Sequence, residues 1–278
     1  MERVLIAGCG YVGSALAGRL AREGHEVWGM RRNPAALPQG VHGLAADLGD
    51  PASLASLPAG LTVVFYTAAS DGSSDDAYRA AYVDGPRNLL AALEAQGQRP
   101  RRVIFTSSTS VYGQHGGEWV DEGSPTEPDG FGGRRMLEGE AVVRGGPFSA
   151  IVLRLGGIYG PGRTSYIDRV RAGRAECPPS TTYANRIHRD DCAGALRHLM
   201  RLAAPDPVYL GVDRDPADAC DVLRWLAARL AQPEPTRAAA GTGPVRTRSN
   251  KRCRSDRLAA SGYEFLYPTF REGFGSLL

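Results

Sequence analysis

The sequence predicts an α/β fold, a doubly wound parallel sheet followed by a smaller C-terminal lobe. Three features predict it. Short apolar runs alternate with helix-like stretches up to Leu155, the first run stops at a glycine-rich turn, and the regularity loosens after Leu155. The strand-like runs are 4–7, 26–30, 62–66, 102–106 and 150–155, and the helical stretches among them are 12–22, 75–95 and 134–144. Runs that are apolar on both faces suit strands covered on both sides, the arrangement that crossover helices impose on a parallel sheet.

Each later element has its own signal. Pro86 falls inside the second helical stretch and predicts a kink or break there, because an interior proline costs about 3 kcal/mol. Gly156-Gly157, Gly160-Pro161-Gly162 and Cys177-Pro178-Pro179 read as turns. Helices are expected over 190–202 and 217–230, with a strand at 208–212 between them that returns to the sheet. The division expected is 1–155 for the sheet domain and 156–278 mainly for the smaller lobe. Residues 232–250, rich in Pro, Ala, Gly, Thr and Arg, read as a loop.

The first turn carries the most chemistry. Gly8-Cys9-Gly10-Tyr11-Val12-Gly13 is a G-x-G-x-x-G turn between the first strand and a stretch with Val12, Leu16 and Leu20 at helical spacing. Gly8 permits the tight bend, Gly10 lets the backbone approach a pyrophosphate, and Gly13 allows the helix to pack close to the strand. The helix start then offers unpaired N–H groups and a positive dipole end to phosphate.

Composition narrows the field. The 278 residues are 42% hydrophobic and 23% charged with a net charge of +3, as in an ordinary globular protein. The basic residues are scattered, so no electrostatic footprint for nucleic acid is expected. Arg101-Arg102 and Arg134-Arg135 read as solvated element ends. No apolar run approaches the ~20 residues needed to cross a bilayer, and the first strand begins right after Met1-Glu2 without a signal-peptide pattern. The five cysteines, Cys9, Cys177, Cys192, Cys220 and Cys253, are odd in number and lack C-x-x-C spacing, which argues against a disulfide framework and against a metal site. A reduced cytoplasm is the expected location. Lys251 is the only lysine, so any chemistry that needs a lysine elsewhere is excluded.

With the glycine turn placed, three further segments resemble the extended short-chain dehydrogenase/reductase family, the NAD(P)-dependent epimerases and dehydratases, and specifically an atypical branch of it. They are the segment 102–113, whose strand ends in Thr106-Ser107-Ser108 with Thr109 next, the segment Arg154-Leu155-Gly156-Gly157-Ile158-Tyr159-Gly160-Pro161-Gly162-Arg163, and Ile187-His188-Arg189-Asp190-Asp191-Cys192-Ala193. All lie in the family's order and nearly span the chain. The resemblance implies a Rossmann-type sheet with a substrate-binding C-terminal lobe. It places Ser108, with Thr109 beside it, at the catalytic serine/threonine position. A hydroxyl there donates to a substrate oxygen as charge builds. It also implies substrate contacts from Tyr159, Arg163 and His188, although Asp190 as a helix cap and His188 as a buried hydrogen-bonding residue is the plainer reading.

Cofactor choice is read after the second strand. Where an NAD enzyme of the family carries an acid for the ribose hydroxyls, this chain has Arg31 and Arg32, guanidinium forks suited to a 2′-phosphate. NADP(H) is therefore expected, with Gly8, Cys9, Gly10, Tyr11, Val12 and Gly13 at the pyrophosphate. The resemblance puts Asp47-Leu48 beside adenine and the small run Thr67-Ala68-Ala69 where the nicotinamide half crosses. The family's dimer helices correspond to 75–95 and 134–144, so a homodimer is an open expectation.

The family's Tyr-x-x-x-Lys pair is missing. Alignment on Leu137-Glu138-Gly139-Glu140 puts Gly132 and Met136 at its positions, and a shift by one gives Phe131 and Arg135. The N-V-x-G-T-x-N motif reads Tyr82-Val83-Asp84-Gly85-Pro86-Arg87-Asn88. Three readings stand open: an oxidoreductase or epimerase acting on a small polar carbonyl or hydroxyl compound, nucleotide sugars included, whose proton donor is Ser108, Tyr82, His115, Tyr159 or water; a non-catalytic NADP(H)-binding sensor or scaffold; and an enzyme whose substrate is already activated and needs no strong acid.

Overall fold

The computed structural model describes residues 1–239 and 250–278. The chain begins with β1 (Arg3–Ala7), α1 (Tyr11–Arg22), β2 (Glu26–Arg31), β3 (Val41–Ala45) and β4 (Val63–Tyr66). A long helical stretch follows: α2 (Asp75–Arg79), a π-helical turn (Ala80–Asp84) and α3 (Gly85–Ala95). Next come β5 (Arg102–Ser108), β6 (Glu118–Val120), α4 (Phe131–Arg144), β7 (Ala150–Leu155), β8 (Gly157–Tyr159) and α5 (Ser165–Arg171). The last third holds β9 (Arg186–His188), α6 (Arg189–Arg201), β10 (Val208–Gly211), α7 (Ala219–Arg229), β11 (Lys251–Cys253), α8 (Asp256–Ala260) and α9 (Phe270–Gly275).

Seven strands form one parallel sheet in the order β10-β7-β5-β4-β1-β2-β3. Strand periodicity explains how it is covered, because successive side chains point to opposite faces. Val4 and Ile6 pack with Leu16 and Leu20 of α1 and Leu196 and Leu199 of α6. Leu5 and Ala7 pack with Leu89 and Leu93 of α3 and Val143 of α4. Both faces are thus buried under helices, and β10 returns to the sheet beside β7, with Val208 opposite Val152. A separate cluster of Ile167, Val170, Val222, Leu226, Phe270 and Phe274 packs α5, α7 and α9 together.

The break expected at Pro86 takes a specific form. Proline has no N–H, and its ring collides with the carbonyl four residues back in a regular helix. The helix widens into the π-turn one step earlier: Gly85 N–H bonds Ala80 O. Ala81 O, released from its α-helical partner, accepts the Tyr66 hydroxyl instead. Tyr82 O packs on α4 so closely that a Cβ on Gly139 would lie 2.1 Å from it.

Three expectations need correction. Arg102 is not a solvated element end: it is 7% exposed, and its Nη1 donates to Leu199 O, Met200 O and Leu202 O at 2.7–3.0 Å, filling orphan carbonyls at the end of α6. Arg135 is held by paired bonds of 2.8 Å to Asp75. A disulfide joins Cys177 to Cys220 across 43 residues, a pairing that local spacing cannot show. Among the described residues no helix is long and apolar enough to cross a membrane, and no group of His, Cys, Asp or Glu is arranged to hold a metal. Part of the 232–250 loop lies outside the described residues.

Candidate functional site

The carboxyl ends of β1, β2, β4, β5 and β7 open onto one cleft of about 720 Å³, the place where open parallel sheets bind ligands. At its centre the glycine turn behaves as its residues require. Gly8 has φ +84°, and a Cβ on it would strike the Ala68 backbone at 2.3 Å. A Cβ on Gly13 would meet Thr67 Oγ1 at 2.7 Å. At Gly10 the nearest neighbour would be 3.9 Å away, so only this glycine faces open space, the space a pyrophosphate needs. The first intrahelical bond of α1 is Ser14 N to Gly10 O at 2.8 Å. That leaves the N–H groups of Tyr11, Val12 and Gly13 without helical acceptors, and no side chain caps them. Cys9 is fully buried, and its N–H is bound to Met30 O; it shapes the turn and does not line the cleft.

One end of the cleft is lined by Arg31, Arg32, Asn33, Asp47 and Leu48. Arg32 Nη2 donates to Asp71 Oδ1 at 2.7 Å. Asp47 Oδ1 accepts from Gly49 N at 2.8 Å and Leu48 O from Asn88 Nδ2 at 2.9 Å, which fixes the loop after β3. In the middle, Thr67, Ala68 and Ala69 line the wall. Thr67 Oγ1 donates to Gly8 O at 2.9 Å and stitches β4 to the glycine turn.

At the other end lie Thr106, Ser107, Ser108, Met136, Leu155, Gly156, Ile158 and Arg163. Ser108 Oγ accepts from Ser110 N at 3.1 Å, a bond that leaves the hydroxyl proton available to donate. Thr109 starts the next turn and is not among the lining residues. Ser107 points behind the strand, where its Oγ donates to Glu140 at 2.6 Å. Glu140 and Arg154 form a buried bidentate pair at 2.7 and 2.9 Å, and Arg154 also donates to the Tyr112 hydroxyl. Burial opposes the Arg154 charge, but Glu140 and Tyr112 overcome it and hold its pKa above the ordinary guanidinium value. Burial pushes Tyr112 up to about 12. This network braces β5 and β7, and of its members only Ser107 belongs to the cleft lining.

Of the three residues expected at the substrate, only Arg163 lines the cleft, stacked 4.2 Å over the Tyr11 ring. Tyr159 is 6% exposed, its ring packed on Phe274 and His188. His188 is 1% exposed, and its Nδ1 accepts from Asp190 N at the start of α6, so His188 caps the helix rather than Asp190. Asp191 is also structural. Its carboxylate accepts from the Tyr263 hydroxyl, Leu266 N and Tyr267 N, tying the 263–267 segment to α6. The sequence reading missed Asp71, Ser70 and Asn33 on the cleft; all sit within five residues of strand ends already recognised, which is the available signal.

A family model described as the NAD dependent epimerase/dehydratase family matches residues 4–206. The chain belongs to that family. Within it, the chain is 40% identical to a solved protein from Methylobacillus flagellatus, provisionally named an NAD-dependent epimerase/dehydratase. The match covers 99% of this chain and 97% of that one with a TM-score of 0.83. It is 31% identical over 222 residues to Protein YeeZ of Escherichia coli K12, covering 75% of this chain and 77% of YeeZ. It is 27% identical over 308 residues to a Streptomyces 3-diazoavenalumate denitrifying reductase, covering 98% and 99% of the two chains.

Proposed function

We propose that the protein is an NADP(H)-dependent oxidoreductase or epimerase/dehydratase-like enzyme for a small polar carbonyl or hydroxyl compound, nucleotide sugars among them, working without the Tyr-x-x-x-Lys pair. The observation that carries the reading is the single cleft running from the Arg31–Arg32 end, past the open face of Gly10, to the Ser108 hydroxyl. The family's NAD dependence and the reductase among the relatives support it. Tyr11, Val12 and Gly13 would receive the pyrophosphate through their N–H groups, Arg31 and Arg32 the 2′-phosphate, and Asp47 and Leu48 the adenine side. When bound, the nicotinamide supplies or accepts hydride. Ser108 would donate to the substrate oxygen where charge develops, and Arg163 would hold an anionic part of the substrate. Tyr159 and His188 would shape that pocket from behind. In this reading the protein acts on a small molecule in the cytoplasm, does not bind nucleic acid or membrane, and is open to homodimerisation through α2–α3 and α4.

One observation favours a second reading, NADP(H) binding without turnover: Met136, 4% exposed, fills the lysine position. The test is to titrate the protein with NADPH and NADH, then follow NADPH oxidation with a panel of carbonyl compounds and nucleotide sugars. Turnover of any of them supports the enzyme; tight binding with no turnover across the panel hands the protein to the second reading.

A further inference from the structure

The π-turn between α2 and α3 places a phenol on the cleft that the sequence motif does not supply. Tyr82 lines the same cleft as Thr106, Ser108 and Met136, and it packs against the buried cluster that contains Met136. Its hydroxyl oxygen accepts from Ser70 N at 3.2 Å. That bond anchors the oxygen at the end of β4 and leaves its proton free to be given away. The space beside it, where the family's tyrosine would start, is taken. A Cβ on Gly132 would lie 3.1 Å from the Tyr78 ring, and Tyr78 stacks edge-on against both Tyr82 and Phe131 at 5.2 and 5.4 Å. The helix is widened at the turn that carries Tyr82, and single π-turns inside helices recur at functional sites.

We propose that Tyr82 is the proton donor of this site, a catalytic phenol delivered from the α2–α3 stretch in place of the one missing from α4. The proposal rests on the oxidoreductase reading above. In the reducing direction the carbonyl carbon receives the hydride that the bound cofactor supplies, and the C=O pair moves to oxygen. That oxygen takes the proton of the Tyr82 hydroxyl. The carbonyl is reduced to an alcohol, the cofactor is oxidised, and the tyrosinate is reprotonated from water. Ser108 holds the same oxygen by donation, and Ser70 N–H remains on the Tyr82 oxygen to stabilise its anion. Burial and the neighbouring Tyr78 hold the free-protein phenol above its ordinary pKa, against the Ser70 bond. A negative charge on Tyr82 would in turn disfavour ionisation of Tyr66 on β4, which burial already holds well above its ordinary value. The positive charge of a bound oxidised cofactor in the same cleft would act in the opposite sense.

The test reads the phenol itself. The phenolate absorbance of the whole protein is titrated with pH, alone, with NADPH and with NADP⁺, in wild type, Tyr82→Phe and Tyr78→Phe. Both substitutions keep the ring and so the aromatic packing, and circular dichroism checks the fold. The expected result is one tyrosine ionising at lower pH with NADP⁺ than with NADPH, an effect absent from Tyr82→Phe and present in Tyr78→Phe. On any compound that the wild type turns over, Tyr82→Phe lowers kcat by about 10²–10⁴-fold with NADPH affinity unchanged and its ionisation missing from the pH profile. Cofactor binding without that shift, or a shift that survives in Tyr82→Phe, overturns the proposal alone. No binding of either cofactor overturns the oxidoreductase reading and the proposal with it.

Discussion

Arg32 Nη2 donates to Asp71 Oδ1 at 2.7 Å, joining the end of β2 to the loop after β4 on the lining of the cleft. Both side chains are well exposed, 62% and 71%, so the pair itself adds little stability. Its interest is competitive, because a 2′-phosphate and the Asp71 carboxylate ask for the same guanidinium.

The first prediction follows from that competition. NADPH should bind the wild type more tightly than NADH. Arg32→Ala should reduce NADPH affinity by about tenfold or more, the scale of a charge-assisted hydrogen bond. Asp71→Asn should raise NADPH affinity by about two- to fivefold, since it removes a like charge and frees Arg32, while NADH affinity stays level. Calorimetry on the three proteins decides it, and equal affinities for the two cofactors in the wild type would refute the 2′-phosphate assignment.

The glycine turn yields a paired prediction. Gly10 has open space around it, whereas Gly8 has φ +84° and would place a Cβ 2.3 Å from Ala68. Gly10→Val should therefore fold with a near-native melting temperature and lose cofactor binding. Gly8→Val should fail at the earlier step and lose stability. Melting curves and cofactor titration on the same samples separate the two; a Gly10→Val protein that binds NADPH normally would move the phosphate site elsewhere.

Ser108 should show its role in the transition state. Ser108→Ala should lower kcat by about 10²-fold with NADPH affinity nearly unchanged, since the hydroxyl acts where charge develops. A fall in NADPH affinity matching the fall in rate would instead make Ser108 a cofactor-binding residue.

A pH effect belongs to Asp213, which follows β10 and is 2% exposed, with Oδ2 unpartnered. Burial raises its pKa well above the ordinary 3.8, while Arg186 and the Asp215 N–H pull the other way. The folded protein therefore keeps a proton there that the unfolded chain gives up as pH rises past the ordinary value. Stability is lost as pH climbs from that value toward the raised one. Asp213→Asn should remove the loss and keep the bond from Asp215 N. The melting temperature should rise by about 2–4 °C at neutral pH, equivalent to about 1 kcal/mol in a chain of this size. The gain should shrink toward pH 4, and a gain that is constant with pH would exclude the proton as its source.

Much of this architecture was legible because it rests on local periodicity. β1, β4, β5 and β7 are each built on three or four consecutive apolar residues, and the glycine turn between β1 and α1 announces both its geometry and its ligand class. What was not legible depends on partners distant in sequence. Cys177 and Cys220 meet only after α7 docks beside the loop that follows α5. Arg102 looks like surface charge until α6 brings its last carbonyls to it. For His188 the family motif implies a substrate contact and the residue itself a buried hydrogen-bonding role; the latter is what the structure shows, with Tyr159 and Tyr267 packed around the ring. Pro86 did signal a disturbance, but nothing local said that the helix would widen and leave Ala81 O to the Tyr66 hydroxyl.

That widened turn also has a meaning in chain length. A π-turn holds one residue more than the α-turn it replaces, and one residue in a helix corresponds to about 100° of rotation. Here the extra residue is absorbed within Ala80–Asp84, so α2 and α3 keep the facing they would have in a helix one residue shorter. A protein lacking a single residue here would keep the same two helical faces and the same fold while swinging the Tyr82 position off the cleft wall. Relatives with near-identical backbones can thus differ in which side chain they show their substrate through an insertion or deletion too small to register in the overall superposition.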